Sequence, residues 1–228
     1  GTVKKDRRTF ENMVEEMGVS LIPSAGSDSL SLGGTFHSRH TERWLDLLTE
    51  ALSQPRLDPL EIERTKREMK ADLDLVMEDD ARWGRLLLKR SLFEGTPYAH
   101  SVLGTEASID RITRDALMAH ISQTYTTSRL VVGASGDIDT TYFEPGLNAL
   151  SSSLGTGTTN RQKGIPQSPH STRFIIVNKP GRQQCQLFSG QQLPGTQDAE
   201  LLPFQMGTMV LGGTFSSRLV QALRIERG

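Results

Sequence analysis

Apolar positions along the first two thirds of the chain recur at three- and four-residue spacing, interrupted by short runs with strand-like alternation. Asp6 caps a predicted helix over about 7–17, with Phe10, Met13 and Val14 as its apolar stripe and Gly18 as its stop. "VSLIPSAGSDSLSLGGTF" predicts two strands, 19–24 and 29–36, joined by the turn "SAGSD". A helix over 41–53 places Trp44, Leu47, Leu48 and Leu52 on one side. Asp58-Pro59 reads as a cap followed by proline at the first helical position, opening a long helix to about Met77. A further helix is expected over about 81–93, then the loop "EGTPYAHSVLGTEAS", and a helix capped by Thr113 that runs through Tyr125. "SRLVVGASGD" predicts a buried strand, and 140–154 another helix.

The pattern then breaks. "GTGTTNRQKGIPQSPHS" (155–171) carries almost no apolar residues and reads as a linker. It divides a first domain, 1–154, from the start of a second, 172–228. In the second part, "RFIIVNKP" and "QQCQLFSGQQL" predict strands, and "DAELLPFQMGTMVL" predicts a helix. The closing "LGGTFSSRLVQALRIERG" predicts a glycine turn entering an amphipathic helix. That helix would turn Leu219, Val220 and Leu223 inwards and Arg224 outwards. A segment of under about 60 residues is too short to bury a good core alone.

Composition removes several function classes. The 26 Lys and Arg balance 27 Asp and Glu, so the chain offers no strong field to nucleic acid or an anionic membrane. Aromatic residues make up 6% of the chain and no basic stripe is interleaved with them, which argues against a base-stacking surface. Apolar runs such as Leu86-Leu87-Leu88 are far too short for a transmembrane segment. The single cysteine, Cys185, can form neither an internal disulfide nor a cysteine-rich metal site. The chain opens at Gly1-Thr2 without an initiator Met, so a missing leader carries no information.

Candidate chemistry is sparse. His37 and His40 form H-x-x-H but straddle a strand end and a helix start, which favours a solvated turn over a metal site. Gly212-Gly213 resembles an anion-binding turn only superficially. There is no G-x-S-x-G elbow, P-loop, H-E-x-x-H or C-x-x-C. In the helix from Pro59, the stripe Ile62, Met69, Leu73, Val76 is expected to include Asp72, a carboxylate that would need a cation, backbone amides or a metal.

Four stretches together resemble the M16 family of zinc peptidases. "GTVKKDRRTFENMVEEMG" is similar to the segment that follows the family's inverted zinc motif H-x-x-E-H, and "LTEALSQPRLDPLEIERTKREMKADLDLVMEDD" to the helix pair carrying its third zinc ligand. "LFEGTPYAHSVLGTEASIDRIT" resembles the family's "lf..hpY....G....i..i" pattern. "LGGTFSSRLVQALRIERG" resembles the opening of the second domain's substrate-binding helix. The resemblance implies an α+β architecture of two similar domains, each an antiparallel-rich sheet with helices packed on one face, the second incomplete here.

The same resemblance locates the departures. The H-x-x-E-H segment would precede Gly1, Asp72 falls at the position of the third zinc ligand (Glu in the family), and Thr65 stands where the family has a supporting acid. "GVSLIP" replaces the "GG..NA" of catalytic members. These departures imply a non-catalytic subunit with no cofactor of its own. It would bind peptide or unfolded polypeptide and complete the chamber of a homologous, zinc-bearing catalytic partner. Arg224 falls on the position of an arginine that binds the substrate backbone, where its guanidinium could give two fixed hydrogen bonds. Without the resemblance, an ion pair to Glu226 or Asp198 is the simpler role. The alternatives are a piece of an active zinc endopeptidase and a structural scaffold subunit. The bacterial pairs of this family imply a periplasmic or envelope location, with the cytoplasm as the alternative.

Overall fold

A computed structural model describes residues 1–157, 173–193, 195 and 197–227. The chain divides into two compact units, Gly1–Gln167 and Ser168–Gly228. Of the expected linker, only 155–157 lies within the described residues.

The first unit follows the capping chemistry closely. Helix α1, Arg7–Glu16, starts where the Asp6 carboxylate accepts the Thr9 amide at 2.8 Å. It stops at Gly18, whose φ of 64° is the left-handed conformation that glycine adopts without steric penalty. Strands β1, Ser20–Ala25, and β2, Leu30–Thr35, form an antiparallel hairpin with Ser20 opposite Thr35 and Ala25 opposite Leu30. A 3-10 turn at Ser38–His40 leads into α2, Thr41–Ser53. Asp58 caps α3, Pro59–Glu78, through the Leu60 amide, and Asp79 caps α4, Asp80–Leu92, through the amides of Ala81 and Arg82. The expected loop after α4 contains α5, Glu106–Asp110, held by a reciprocal Thr105–Ser108 capping box. Helices α6, Arg114–Thr124, and α7, Thr140–Ser153, begin at Thr113 and Asp139.

These elements meet around Met17, Trp44 and Leu47. Phe10, Met13 and Val14 of α1, Leu21 of β1, Phe36 and Leu48 pack onto that cluster, with the Phe36 and Trp44 rings 6.3 Å apart. On its other side α2 packs against α7. The approach is close because Gly146 has no side chain: a Cβ there would lie 2.9 Å from the Cβ of the buried Leu45. The chain's start is tied to α2 by Glu50, which accepts hydrogen bonds from the Thr2 hydroxyl and the Lys5 ammonium.

Three strand expectations fail. Residues 130–133 join no ladder, and Val131 is 94% exposed. "RFIIVNKP" and "QQCQLFSGQQL" are likewise without regular strand structure at every described residue, with Phe174, Ile176 and Leu187 exposed. An apolar run favours an extended backbone but does not supply the neighbouring strand that satisfies its N–H and C=O groups. The class is α+β, with a sheet smaller than expected: one two-stranded hairpin among the described residues.

The second unit contains α8, Leu201–Thr208, which runs into a π-helical turn, Met209–Gly213. It also contains α9, Arg218–Val220, followed by a second π-helical turn, Gln221–Ile225. No apolar side chain of this unit is buried among the described residues. Leu219 and Leu223, expected to point inwards, are about half exposed, being only partly covered among the described residues.

Candidate functional site

The expected site residues were Arg224 and Asp72, with His37 and His40 as a lesser possibility. Arg224 lies in the second π-helical turn, exposed, with its guanidinium carbon 5.4 Å from the centre of the Phe215 ring. The expected ion pairs to Glu226 or Asp198 are not what holds it. It sits over an aromatic face, where a guanidinium gains from the ring's negative charge while keeping its N–H groups available. Gly212, Gly213, Thr214, Phe215, Val220 and Arg224 enclose a small concavity of about 190 Å³. Gly212 and Gly213 contribute only backbone to its lining, and Arg224 is its single charged lining residue. What this arrangement can do is hold one carbonyl or carboxylate through a charge-assisted hydrogen bond.

Asp72 is exposed, not on the buried side of α3. Ile62, Lys66, Met69, Leu73 and Val76 form a covered row, with Leu73 the one fully buried, and Glu61, Arg64 and Lys70 beside it are partly covered. The row follows alternating spacings of four and three, which leaves Asp72 one residue off the stripe, facing water. Its need for a buried partner therefore disappears. Thr65, seven residues earlier, is also exposed and lines a larger cavity of about 530 Å³.

That larger cavity escaped the sequence reading. It is bounded by the start of α1, the 55–58 loop, the first half of α3 and Leu117 of α6, with mainly apolar walls. Several of its charged residues are held in ion pairs, with one another or with residues just outside it. Arg7 pairs with Glu61 at 3.0 Å and Glu11 at 2.6 Å, and Arg64 also reaches Glu61 at 3.0 Å. Burial pushes the Glu61 carboxyl up, but hydrogen bonds from Arg64 and Arg7 outweigh it and hold the group below its ordinary range. Leu57, at φ 46°, turns the chain at the cavity's edge. Its carbonyl accepts from Arg114 Nε at 3.2 Å. Leu57's conformation is invisible in the residue type, and no motif marks the cavity. It holds no nucleophile beside a base.

The histidines do not form a metal site. The His37 and His40 rings lie edge to face, 6.5 Å apart, and Arg39 Nε donates to His40 Nε2 at 3.1 Å, occupying the lone pair a metal would need. Partial burial and the charges of Arg39, His37 and Arg43 lower the His40 pKa. His100 and His120 are exposed, and His170 lies outside the described residues. Among the described residues no group of three His, Cys, Asp or Glu side chains is placed to hold a metal ion. The donor set thus does not fit a zinc centre, and no step of a zinc mechanism is assigned to it. No described helix is long and apolar enough to cross a membrane.

Comparison with known proteins places these features. The profile of the peptidase M16 inactive domain matches residues 111–228, and that of insulinase (peptidase family M16) matches residues 1–106. The chain is 25% identical over 228 residues to the non-peptidase homolog YmxG of Helicobacter pylori, covering all of this chain and 52% of that protein. It is 22% identical over 213 residues to a probable mitochondrial-processing peptidase subunit beta of Arabidopsis thaliana, covering 90% of this chain and 40% of that one. In structure it is similar to a peptidase M16 inactive domain from Pseudomonas fluorescens, with a TM-score of 0.84 at 23% identity, over 100% of this chain and 56% of the other. The chain spans about half the length of the curated relatives it matches, or less.

Proposed function

The chain belongs to peptidase family M16, and on that premise we propose that it is part of a non-catalytic subunit that holds unfolded polypeptide for a homologous, zinc-bearing partner. The observation that carries this reading is the Arg224 concavity: a guanidinium seated on Phe215 beside bare Gly212-Gly213 backbone, inside the segment matched by the inactive-domain profile. The likeness to a non-peptidase homolog supports the absence of catalysis, and the likeness to a peptidase subunit supports work in an assembly. In this reading zinc supplies carbonyl polarisation and water activation in the partner. This chain's own contribution is to fix the substrate backbone through Arg224, which limits the orientations in which the scissile bond can lie.

The experiment is Arg224→Ala in the full-length protein assembled with its catalytic partner. Loss of a charge-assisted hydrogen bond to substrate should lower kcat/KM roughly ten- to a hundredfold, with little change in the circular dichroism melt. Arg224→Lys should restore only part of the rate, because an ammonium cannot reproduce the guanidinium fork. Unchanged kinetics in the alanine variant would remove Arg224 from the site and leave the scaffold reading ahead.

A further inference from the structure

The β1–β2 hairpin has a sidedness that follows from its turn. The Gly26 amide donates to the Ser29 carbonyl at 2.7 Å, so Gly26 and Ser29 close the hairpin as a hydrogen-bonded pair around Ser27-Asp28. Bonded and non-bonded pairs alternate along an antiparallel ladder. In the observed register, Ser24–Ser31, Ile22–Gly33 and Ser20–Thr35 are then the bonded pairs, and Ala25–Leu30, Pro23–Leu32 and Leu21–Gly34 the non-bonded ones. Gly34 supports this assignment. A Cβ there would lie 2.1 Å from the Ser20 carbonyl oxygen, which therefore points across to β2, as a bonded position requires.

The backbone groups of Leu21, Pro23 and Ala25 consequently face away from β2, along the outer edge of β1. In the two-stranded sheet of the described residues nothing pairs with that edge. Pro23 is exposed and sits at its centre. Its nitrogen carries no hydrogen, and its ring stands where a neighbouring carbonyl would have to come. The edge thus offers amides from Leu21 and Ala25 with a blocked position between them. An added strand would leave one of its own carbonyls facing the proline ring, desolvated and unpaired.

We infer that Pro23 closes the outer edge of β1 to any peptide in extended conformation, so that backbone-ladder recognition is excluded there. Had the central residue carried an N–H, this edge would be a template for strand addition. The inference stands on the hairpin's register alone and does not depend on the role proposed for Arg224.

The test uses the full chain and a capped ten-residue probe peptide of alternating valine and threonine with terminal lysines. Amide exchange and chemical shifts are followed by NMR during titration. In the native chain the probe should leave the amides of Leu21 and Ala25 unprotected, while Ile22 and Ser24, bonded within the hairpin, stay slow to exchange. In Pro23→Thr the probe should protect residues 21, 23 and 25 together and bind roughly tenfold or more tightly than to the native chain. Thermal unfolding monitors each variant. If the threonine variant loses its fold, Pro23→Ala takes its place. Protection of Leu21 and Ala25 by the probe in the native chain would overturn the inference. Equally, a folded variant that binds the probe no better than the native chain would overturn it.

Discussion

The α1–α2 region and the α8–α9 region both present apolar residues at helical spacing, yet only the first buries them. Met17, Trp44 and Leu47 are nearly inaccessible, whereas Leu202, Met206, Leu219 and Leu223 stay between 45% and 65% exposed. Apolar content does not separate the two regions, although α8 is apolar on every side whereas α1 and α2 each carry a single apolar stripe. What separates them is supply of neighbours. α1, β1 and α2 close on one another within some forty residues, each covering the next. In the second unit the described helical segments are short and relax into π-helical turns, with no strand among the described residues to back them. An amphipathic pattern states which side must be covered; a second element at the right distance is what makes burial stabilising.

Substitutions can break that contrast or sharpen it. The largest effect is expected at Trp44, 6% exposed and central to the cluster. Trp44→Ala should cost about 3–5 kcal/mol, enough to consume most of the stability of a modest domain, and should appear as loss of the cooperative urea transition by circular dichroism. A cost under about 1 kcal/mol would mean that the cluster does not organise this unit.

An intermediate effect is expected at Glu50, which ties Thr2 and Lys5 to α2. Burial pushes its carboxyl up, but the hydrogen bonds from Lys5 and Thr2 and the charges of Lys5 and Lys4 outweigh burial and hold it below its ordinary value of 4.5. A depressed folded-state pKa stabilises fully above the unfolded value and ceases to do so as pH falls through the folded one. Glu50→Gln should therefore cost about 1–2 kcal/mol at neutral pH. The gap to the native chain should narrow as pH drops below 4.5. Urea titrations at neutral and acid pH check both; a gap that stays constant with pH would show that the ion pair contributes nothing.

The smallest effect is expected at Leu219, whose side chain is 45% exposed. Leu219→Ala should change stability by no more than about 0.5 kcal/mol in the same unfolding measurement. A loss of several kcal/mol would show that the α9 side is covered in solution, and would erase the contrast with α2.

Much of the first unit was legible because its boundaries are written in capping chemistry. Asp6, Asp58 and Thr113, which residue type marks as caps, each accept a backbone amide at a helix start, and Asp79 and Asp139, not singled out in the sequence, do the same. The hairpin was legible for a similar local reason. That 130–133 and 173–177 form no strand was not legible, since strand formation depends on a distant backbone that no local pattern names. Asp72 failed more narrowly. The stripe on α3 passes through Lys66, whose stem is covered while its head reaches Glu63 at 2.9 Å. Asp72 lies three residues after Met69 and four before Val76, so spacing alone admitted it, although the buried Leu73 holds that place on the covered side. Of the candidate site, the position of Arg224 could be taken from resemblance, but its seat on Phe215 could not. They are nine positions apart in sequence, and a turn of uncommon winding brings them together.

The closeness in sequence of the Met17–Trp44–Leu47 cluster also bears on how the unit assembles. Its members and their packing partners all fall between residues 10 and 48, so the chain closes only short loops to bring them together. Helix α7 docks on α2 from some ninety residues further along, with Gly146 meeting Leu45. That second closure carries a larger entropic cost, though one that grows only slowly with loop length. Loop-closure entropy therefore predicts a fast local collapse around Trp44 before α7 docks, and the missing side chain at Gly146 leaves α7 room to sit against Leu45.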